Sequence, residues 1–244
     1  MLRIGMLTPS SNTVLEPVTN AMLAGVDGIS AHFSRFKVTE IALDAKALAQ
    51  FDDSEILRAA ELLAHAKVDV ISWNGTSASW LGIERDRALA ARITDATGIK
   101  ASTCILSLVE ILERIGAASQ GLVSPYTDDV QAKIVATYAA AGIACPSEGH
   151  LGLRDNFAFG TVPEETVAAM IAEVADARPD VVTVLCTNMN GARVGAALET
   201  EDGPIILDSV AVTLWGCLMA TGFPLAPFTR WGRLFRDPRL GALS

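Results

Sequence analysis

The chain has few cysteines and no long apolar run, and these two absences argue against several classes of protein. Four cysteines occur in 244 residues, widely spaced and without a Cys-x-x-Cys pair, which signals neither a disulfide framework nor a zinc site. No apolar stretch reaches the about 20 residues of a membrane helix, and the N-terminus shows no secretory signal. We therefore expect a cytoplasmic protein with no membrane association.

Positive charge is also scarce. With 19 Lys and Arg against 28 Asp and Glu, the net charge is -9, which argues against general affinity for nucleic acid or anionic membranes. The exception is the basic and aromatic tail at residues 228–239, which we expect to dock on the body or on a partner subunit. Half of the residues are hydrophobic, which is enough for a full core in a chain of this length.

An internal repeat organises the chain. Residues 68–77 and 179–188 can be aligned on Asp69 and Asp180. Each segment then reads as an apolar strand that ends in a small residue, followed by Thr and a polar residue. Two related half-chains are the simplest interpretation of this pattern.

The alternation of strand and helix patterns predicts an α/β protein with two pseudo-symmetric, doubly wound parallel-sheet lobes. We predict an N-terminal lobe at residues 1–100, a C-terminal lobe at 101–210, and a helix and tail at 211–244 that pack back on the body. One short strand is expected near Ile143, and residues 37–53 are expected to form a mobile connection. In such sheets ligands bind at the carboxyl ends of the strands, so the active site is expected in the cleft between the lobes.

Cys186 is the first candidate for chemistry, and the repeat places Gly75 opposite it. A thiol at a strand end, followed by Thr187 and a loop that opens a helix, is expected to have a pKa below the usual value of about 8.5. Such a thiol suits proton transfer or nucleophilic attack, although a buried structural cysteine is the alternative. Cys104 also follows a strand, whereas Cys145 and Cys217 are expected in the core.

A second group of candidates could bind carboxylates. The hydroxyls of Thr76, Ser77 and Tyr126 would form a nest for one carboxylate, unless they only cap helices. Asn12 and Asn156 could hold a second carboxylate through their amides; alternatively they are an N-cap and a turn former.

Other functional patterns are weak. His32 and His65 are expected to be structural, and His150 lies in a polar loop. Residues 191–196 resemble a dinucleotide fingerprint only loosely, so no NAD site is expected.

Motifs along nearly the whole chain form a set: residues 5–13, 75–77, 126–130, 155–156, 232–235 and Cys186. This set resembles the aspartate/glutamate racemase superfamily, in the branch of maleate cis-trans isomerase and arylmalonate decarboxylase. The resemblance implies an enzyme without cofactor or metal that acts on the carbon beside a carboxylate of a small dicarboxylate. It also allows a homo-oligomer, and it places Pro9, Gly75 and Thr187 on the pocket wall.

By resemblance, this chain lacks one of the two thiols of the racemases and of the isomerase, because Gly75 stands in its place as in the decarboxylase. Racemisation by two bases needs an acid or base on each face of the planar intermediate, whereas decarboxylation needs one proton donor. By the same resemblance Thr76, Ser77 and Tyr126 hold the retained carboxylate. The departing carboxylate would lie in an apolar region, for which the candidates are Leu43, Trp80 and Val184.

By the same resemblance Asn12 and Asn156 favour the isomerase instead, because they match positions at which the isomerase holds its diacid. We therefore expect first a cofactor-independent decarboxylase of a substituted malonate-like diacid, with Cys186 protonating an enediolate. The alternative is a maleate-type isomerase or a racemase of a small dicarboxylate. The third interpretation is a dicarboxylate-binding protein that has lost turnover.

Overall fold

Two parallel sheets flanked by helices form the framework. The computed structural model describes residues 1–44 and 53–241, and within these the strands form two four-stranded sheets with the orders β2-β1-β3-β4 and β6-β5-β7-β8. The predicted α/β class with two parallel-sheet lobes is confirmed. Since all pairings within both sheets are parallel, the carboxyl ends of each sheet's strands lie along one edge.

The first sheet and its helices come from the first half of the chain. The elements are β1 (Leu2–Pro9), α1 (Leu15–Leu23), β2 (Ile29–Phe36), α2 (Asp53–His65), β3 (Val70–Trp73), α3 (Ala78–Leu81), α4 (Ile83–Thr97), β4 (Ala101–Thr103) and α5 (Cys104–Ile115). Every residue of β3 is buried, as expected for a strand that has helices on both faces.

The second half repeats this arrangement. Its elements are β5 (Gln120–Ser124), α6 (Asp128–Ala140), β6 (Glu148–His150), α7 (Asn156–Phe159), α8 (Glu164–Ala175), β7 (Val181–Val184), α9 (Ala192–Leu198), β8 (Ile205–Asp208) and α10 (Ser209–Thr221). Every residue of β7 is buried, as in β3. Three 3-10 turns follow, at Ala226–Trp231, Arg233–Phe235 and Pro238–Leu240.

The hydrogen bonds support the alignment of the two halves on Asp69 and Asp180. Asp69 accepts a hydrogen bond from the backbone N–H of Arg3 at the start of β1. Asp180 accepts from the backbone N–H groups of Ala118 and Ser119, just before β5. The same kind of side chain therefore joins the third strand of each half to the first, which is what a structural repeat requires.

Helix α10 joins the halves, because it packs on α5 and also on β3 and β4 of the first sheet. The approach to α5 is close at Gly216, where a Cβ atom would stand 2.0 Å from the hydroxyl oxygen of Ser107. The C-terminal segment buries Phe228 completely, and Trp215 donates its indole N–H to the carbonyl of Leu240.

Some details differ from the sequence-based expectations. The strand expected near Ile143 is instead β6 at Glu148–His150, because only an isolated bridge forms nearby, between Ser119 and Ala144. The expected connection at 37–53 is described only at its ends, since residues 45–52 lie outside the described part. The lobe boundaries at residues 100 and 210 stay a prediction; β4, just past the first boundary, pairs with β3.

Among the described helices, none is long and apolar enough to cross a membrane.

Candidate active site

A small cavity lies where β3 and β7 end, between the two sheets. Its lining residues come from both halves of the chain: Pro9, Val38, Ile41, Trp73, Gly75, Thr76, Ser77, Trp80, Tyr126, Asn156, Cys186 and Thr187. Its volume is about 20 Å³, roughly the space that one water molecule requires. A dicarboxylic acid therefore enters only when the walls move.

The cavity brings together most of the residues that the sequence singled out. Eight of them line it: Pro9, Gly75, Thr76, Ser77, Tyr126, Asn156, Cys186 and Thr187. Asn12 is not among its lining residues. The roles assigned to these side chains stay predictions.

Cys186 carries the site's sulfur, and its environment differs from the expectation. The residue is only 3% exposed, and burial raises the pKa of its thiol to about 12, against the smaller effect of the N–H of Asn188. That N–H lies 3.3 Å from Sγ. The expected lowering of the pKa is wrong, because the next helix, α9, begins six residues later and desolvation of the thiolate outweighs the hydrogen bonds from the N–H of Asn188 and from Tyr126.

The hydroxyls of Thr76 and Tyr126 form a pair across the two halves. Their oxygens are 2.6 Å apart and both side chains are buried. Burial, and secondarily the neighbouring Cys186, raises the pKa of Tyr126 well above its usual value. The phenol therefore stays protonated and can donate to an anion.

Ser77 precedes α3, but its hydroxyl makes no capping hydrogen bond. Capping thus does not account for this side chain. The hydroxyl faces the same cavity as the pair formed by Thr76 and Tyr126.

Asn12 makes the local contacts of a helix cap. Its side-chain oxygen Oδ1 accepts from the backbone N–H groups of Val14 and Leu15 at the start of α1. Its amide donates to the hydroxyl of Thr187, 3.1 Å away, and that hydroxyl donates to the carbonyl of Asn74. Asn12 therefore links the ends of β1, β3 and β7 from behind the cavity.

Asn156 reaches the cavity itself. It is buried, and its amide donates to the hydroxyl of Ser11 at 2.8 Å. Its backbone N–H donates to the carbonyl of Thr39. A polar group is therefore available on the wall formed by α7.

The apolar part of the lining is only partly as expected. Of the three apolar candidates, Trp80 lines the cavity, whereas Leu43 and Val184 do not. Val38, Ile41 and Trp73 take their place. Sequence reasoning missed these residues because an apolar side chain near a strand end gives no sign of whether it faces the core or the cleft.

Residues 38–41 form the roof of the cavity. Ile41 donates its backbone N–H to the carbonyl of Arg154, and the guanidinium of Arg154 lies 2.8 Å from the carboxylate of Glu40. Ser11 binds the roof from the other side, by donating to the carbonyl of Val38. These contacts hold the roof against both halves of the chain.

Asn188 is another residue to which sequence reasoning assigned no role. Its side-chain oxygen accepts from the backbone N–H groups of Thr13 and Val14, and its amide donates to the carbonyl of Asn156. The backbone N–H of Asn188 also points to the sulfur of Cys186. Asn188 therefore fixes the loop after β7, which carries the thiol, to both halves of the chain. The sequence did contain a signal for this role, because Asn188 lies two residues after Cys186 in a Cys-Thr-Asn sequence.

Trp73 occupies the space beside Gly75. An ideal Cβ atom at residue 75 would stand 1.9 Å from Cζ2 of the indole, far inside any real contact. The indole is 1% exposed and packs on Phe36, with ring centroids 4.9 Å apart. Residue 75 therefore accepts only glycine while Trp73 stays in this position.

The other reactive side chains lie in structural settings. Cys104 and Cys217 are buried, and burial raises the pKa of each thiol to about 12. His150 lies 2.9 Å from both Glu148 and Asp128 in a surface ion-pair cluster. Within residues 1–44 and 53–241, no three His, Cys, Asp or Glu side chains are grouped as a metal site requires.

The chain is similar to several known proteins over most of its length. The family model described as arylmalonate decarboxylase matches residues 4–235. A maleate isomerase of Pseudomonas putida is 26% identical over 240 residues, which cover 93% of this chain and 95% of the relative. An arylmalonate decarboxylase of Bordetella bronchiseptica is 25% identical over 171 residues, which cover 69% and 71%.

A solved structure shows the same fold. It is a mutant of the Nocardia farcinica maleate cis-trans isomerase with a covalently bound succinylcysteine intermediate. Its TM-score is 0.87 at 23% identity, and the match covers 97% of this chain and 98% of that one.

Proposed function

The chain belongs to the arylmalonate decarboxylase family, and we propose that it removes CO2 from a substituted malonate-like diacid and protonates the resulting enediolate through Cys186. The family includes both decarboxylases and maleate isomerases among its relatives. The observation that carries the proposal is a cavity lining that combines one thiol and several hydroxyl-bearing side chains with a set of apolar side chains.

The polar side is suited to the carboxylate that the product retains. Thr76, Ser77 and Tyr126, which carry hydroxyls, line the cavity together with Cys186. When the bond to the departing carboxyl breaks, its electron pair moves into the retained carboxylate and forms an enediolate. Preorganised donors stabilise such charge, and the loss of a single one can cost about 3–4 kcal/mol.

The apolar side is suited to the departing carboxylate. The aliphatic side chains of Val38 and Ile41 and the indole ring of Trp73 form this part of the lining. A carboxylate placed against them loses hydration and gains few replacement donors, whereas CO2 is neutral and needs neither hydration nor donors. The environment therefore favours loss of CO2.

The raised pKa of Cys186 suits a proton donor better than a nucleophile. The thiol is protonated at neutral pH, so its S–H bond can break as the proton moves to the α-carbon of the enediolate. The thiolate left behind takes a proton from water after the roof opens. The overall change is then one diacid dianion plus one proton to one monoacid anion plus CO2.

Isomerisation of a maleate-type diacid is the second candidate. Asn156 favours it, because a polar amide on the wall could hold a second carboxylate. Asn12, the other amide assigned to that role, caps α1 and donates to Thr187 in this closed arrangement. The position of Asn12 is the reason for placing decarboxylation first.

Turnover assays separate these functions. The protein is incubated with phenylmalonate, with an alkylmalonate and with maleate, while CO2 and fumarate are measured. We expect CO2 from at least one malonate and no fumarate. Cys186→Ala should lower the rate roughly 10²–10⁴-fold, as for loss of a general acid.

Cys145→Ala provides the matched control, because this free thiol is half-buried and away from the cavity. It should leave the rate unchanged. Fumarate formation without CO2 would establish the isomerase, and ligand-induced stabilisation without any turnover would establish a binding protein. Full activity in Cys186→Ala would contradict both catalytic schemes.

A further inference from the structure

The ends of β3 and β7 are equivalent in the repeat but differ in bulk. The register that aligns Asp69 with Asp180 also aligns Trp73 with Val184, and Gly75 with Cys186. On the thiol side the small Val184 leaves room for the side chain two residues later. On the other side the indole of Trp73 occupies the space that a side chain at residue 75 would need.

We propose that Trp73 is the residue that determines the stereospecificity of the reaction, because its indole replaces a proton donor on the wall opposite the thiol. This inference rests on the proposed function. The indole carbon Cζ2 lies 1.9 Å from the ideal Cβ position of Gly75, and both residues line the cavity with Cys186. A thiol-bearing side chain at residue 75 therefore does not fit beside the indole ring.

A planar enediolate held in this cavity then has two unlike faces. One face meets the thiol of Cys186, and the other meets an apolar ring with no exchangeable proton on the atoms nearest to Gly75. Protonation is confined to the thiol side, so a prochiral malonate yields an acid of one hand. The two faces of the enediolate thus differ for two reasons: a second thiol is absent, and the indole of Trp73 stands in its place.

A double-mutant cycle on stability tests the steric part without any assay of activity. Gly75→Ala is made alone and in the Trp73→Val background, which copies Val184. Alone it should lower Tm by roughly 5 °C or more, as overpacking does in a protein of this size. In the Trp73→Val background the same change should shift Tm by less than about 2 °C.

Trp73→Phe supplies a second background if Trp73→Val fails to fold, because phenylalanine lacks the ring carbons Cζ2 and Cη2 that crowd residue 75. Equal losses of Tm from Gly75→Ala in all backgrounds would overturn the proposal. The cycle depends only on folding, so its result stands whichever reaction the enzyme performs.

The functional part uses a malonate with one phenyl and one methyl substituent, which gives a chiral monoacid. The unmodified enzyme should give one enantiomer, and Trp73→Val should lower the enantiomeric excess because water reaches the second face. Trp73→Val with Gly75→Cys should exchange the α-hydrogen of the product for deuterium and racemise it, whereas Gly75→Cys alone should not.

These outcomes separate the two hypotheses. Unchanged enantiomeric excess in Trp73→Val, together with no racemisation by the double variant, would overturn the role of Trp73. Absence of CO2 release by the unmodified enzyme would instead overturn the proposed function. In that case deuterium exchange into added monoacid still compares Gly75→Cys with the double variant.

Discussion

At Cys186 the backbone N–H of Asn188 and the side chain of Tyr126 oppose the effect of desolvating a buried thiolate on the pKa, and desolvation is the larger effect. The same balance holds at Asp208, which caps α10 with one carboxylate oxygen and leaves the other buried without a partner. Burial raises the pKa of this carboxyl to about 7. Burial also raises the pKa of Asp86 on α4 to about 7. The chemistry of these side chains follows from burial rather than from residue type.

Asp208 gives a prediction for the pH dependence of stability. Its folded-state pKa of about 7 lies above the unfolded value of about 3.9. Its stabilising contribution is therefore full below the unfolded value and is lost as the pH rises through 7. Asp208→Asn keeps a capping oxygen but cannot ionise, so the fall in unfolding free energy between pH 5 and 8 should shrink by up to about 3 kcal/mol.

Urea unfolding of both proteins at pH 5 and pH 8 measures this difference. Asp86 ionises in the same window and is present in both proteins, so the residual fall in the variant reports on it. Identical pH dependence in the two proteins would mean that Asp208 is already ionised when buried.

At the scale of elements, close helix contact holds the two halves in register around the cavity. Helix α10 begins directly after β8 and crosses to α5 of the other half, where Gly216 faces Ser107. The loop after β7 is fixed separately by Asn188, which bonds to the start of α1 and to Asn156. The position of the thiol therefore depends on contacts with the start of α1 and with α7.

Gly216→Ala tests the helix contact. In an exposed helix this change stabilises by about 0.5–1 kcal/mol, because alanine has the higher helix propensity. Here the new Cβ would meet the oxygen of Ser107 at 2.0 Å, so the sign should reverse and about 1–3 kcal/mol of stability should be lost. Chemical denaturation measures the loss. Ser107→Gly combined with Gly216→Ala should recover most of it, and an uncompensated stabilisation by Gly216→Ala alone would contradict the contact.

At the scale of the whole molecule, two related halves carry unequal groups on equivalent positions. The sequence repeat anticipated the pairing of halves and placed Gly75 and Cys186 at matching strand ends, because strand patterns and turn residues are local signals. It could not anticipate the raised pKa of the thiol or the indole beside Gly75. Both depend on which side chains tertiary packing brings together, and no local pattern at Trp73 or Asn188 specifies that.

The two halves also differ in the hydrogen bonds that the equivalent residues Asp69 and Asp180 accept. This difference predicts unequal contributions of the two residues to stability. Asp180 accepts from two backbone N–H groups and from the hydroxyl of Ser119, whereas the backbone contact of Asp69 is to the N–H of Arg3. Asp180→Ala should therefore reduce the unfolding free energy more than Asp69→Ala. Parallel denaturation curves at neutral pH measure the two losses.

The pH dependence provides the internal control. The hydroxyl of Ser119, with the two backbone donors, holds the pKa of Asp180 below its usual value. Its contribution is therefore present above the unfolded pKa of about 3.9 and is lost as the pH falls through the lower folded value. The difference in unfolding free energy between Asp180→Ala and the unmodified protein should become smaller in acid. A difference that is constant with pH would exclude the charged carboxylate as its source.

The contact between the indole of Trp73 and residue 75 has an evolutionary consequence. A lineage that converts a one-thiol cleft of this kind into a two-thiol cleft must replace the tryptophan first, since the opposite order passes through an ancestor whose cleft cannot close. The reverse conversion has the opposite order, with the thiol lost before the large ring arrives.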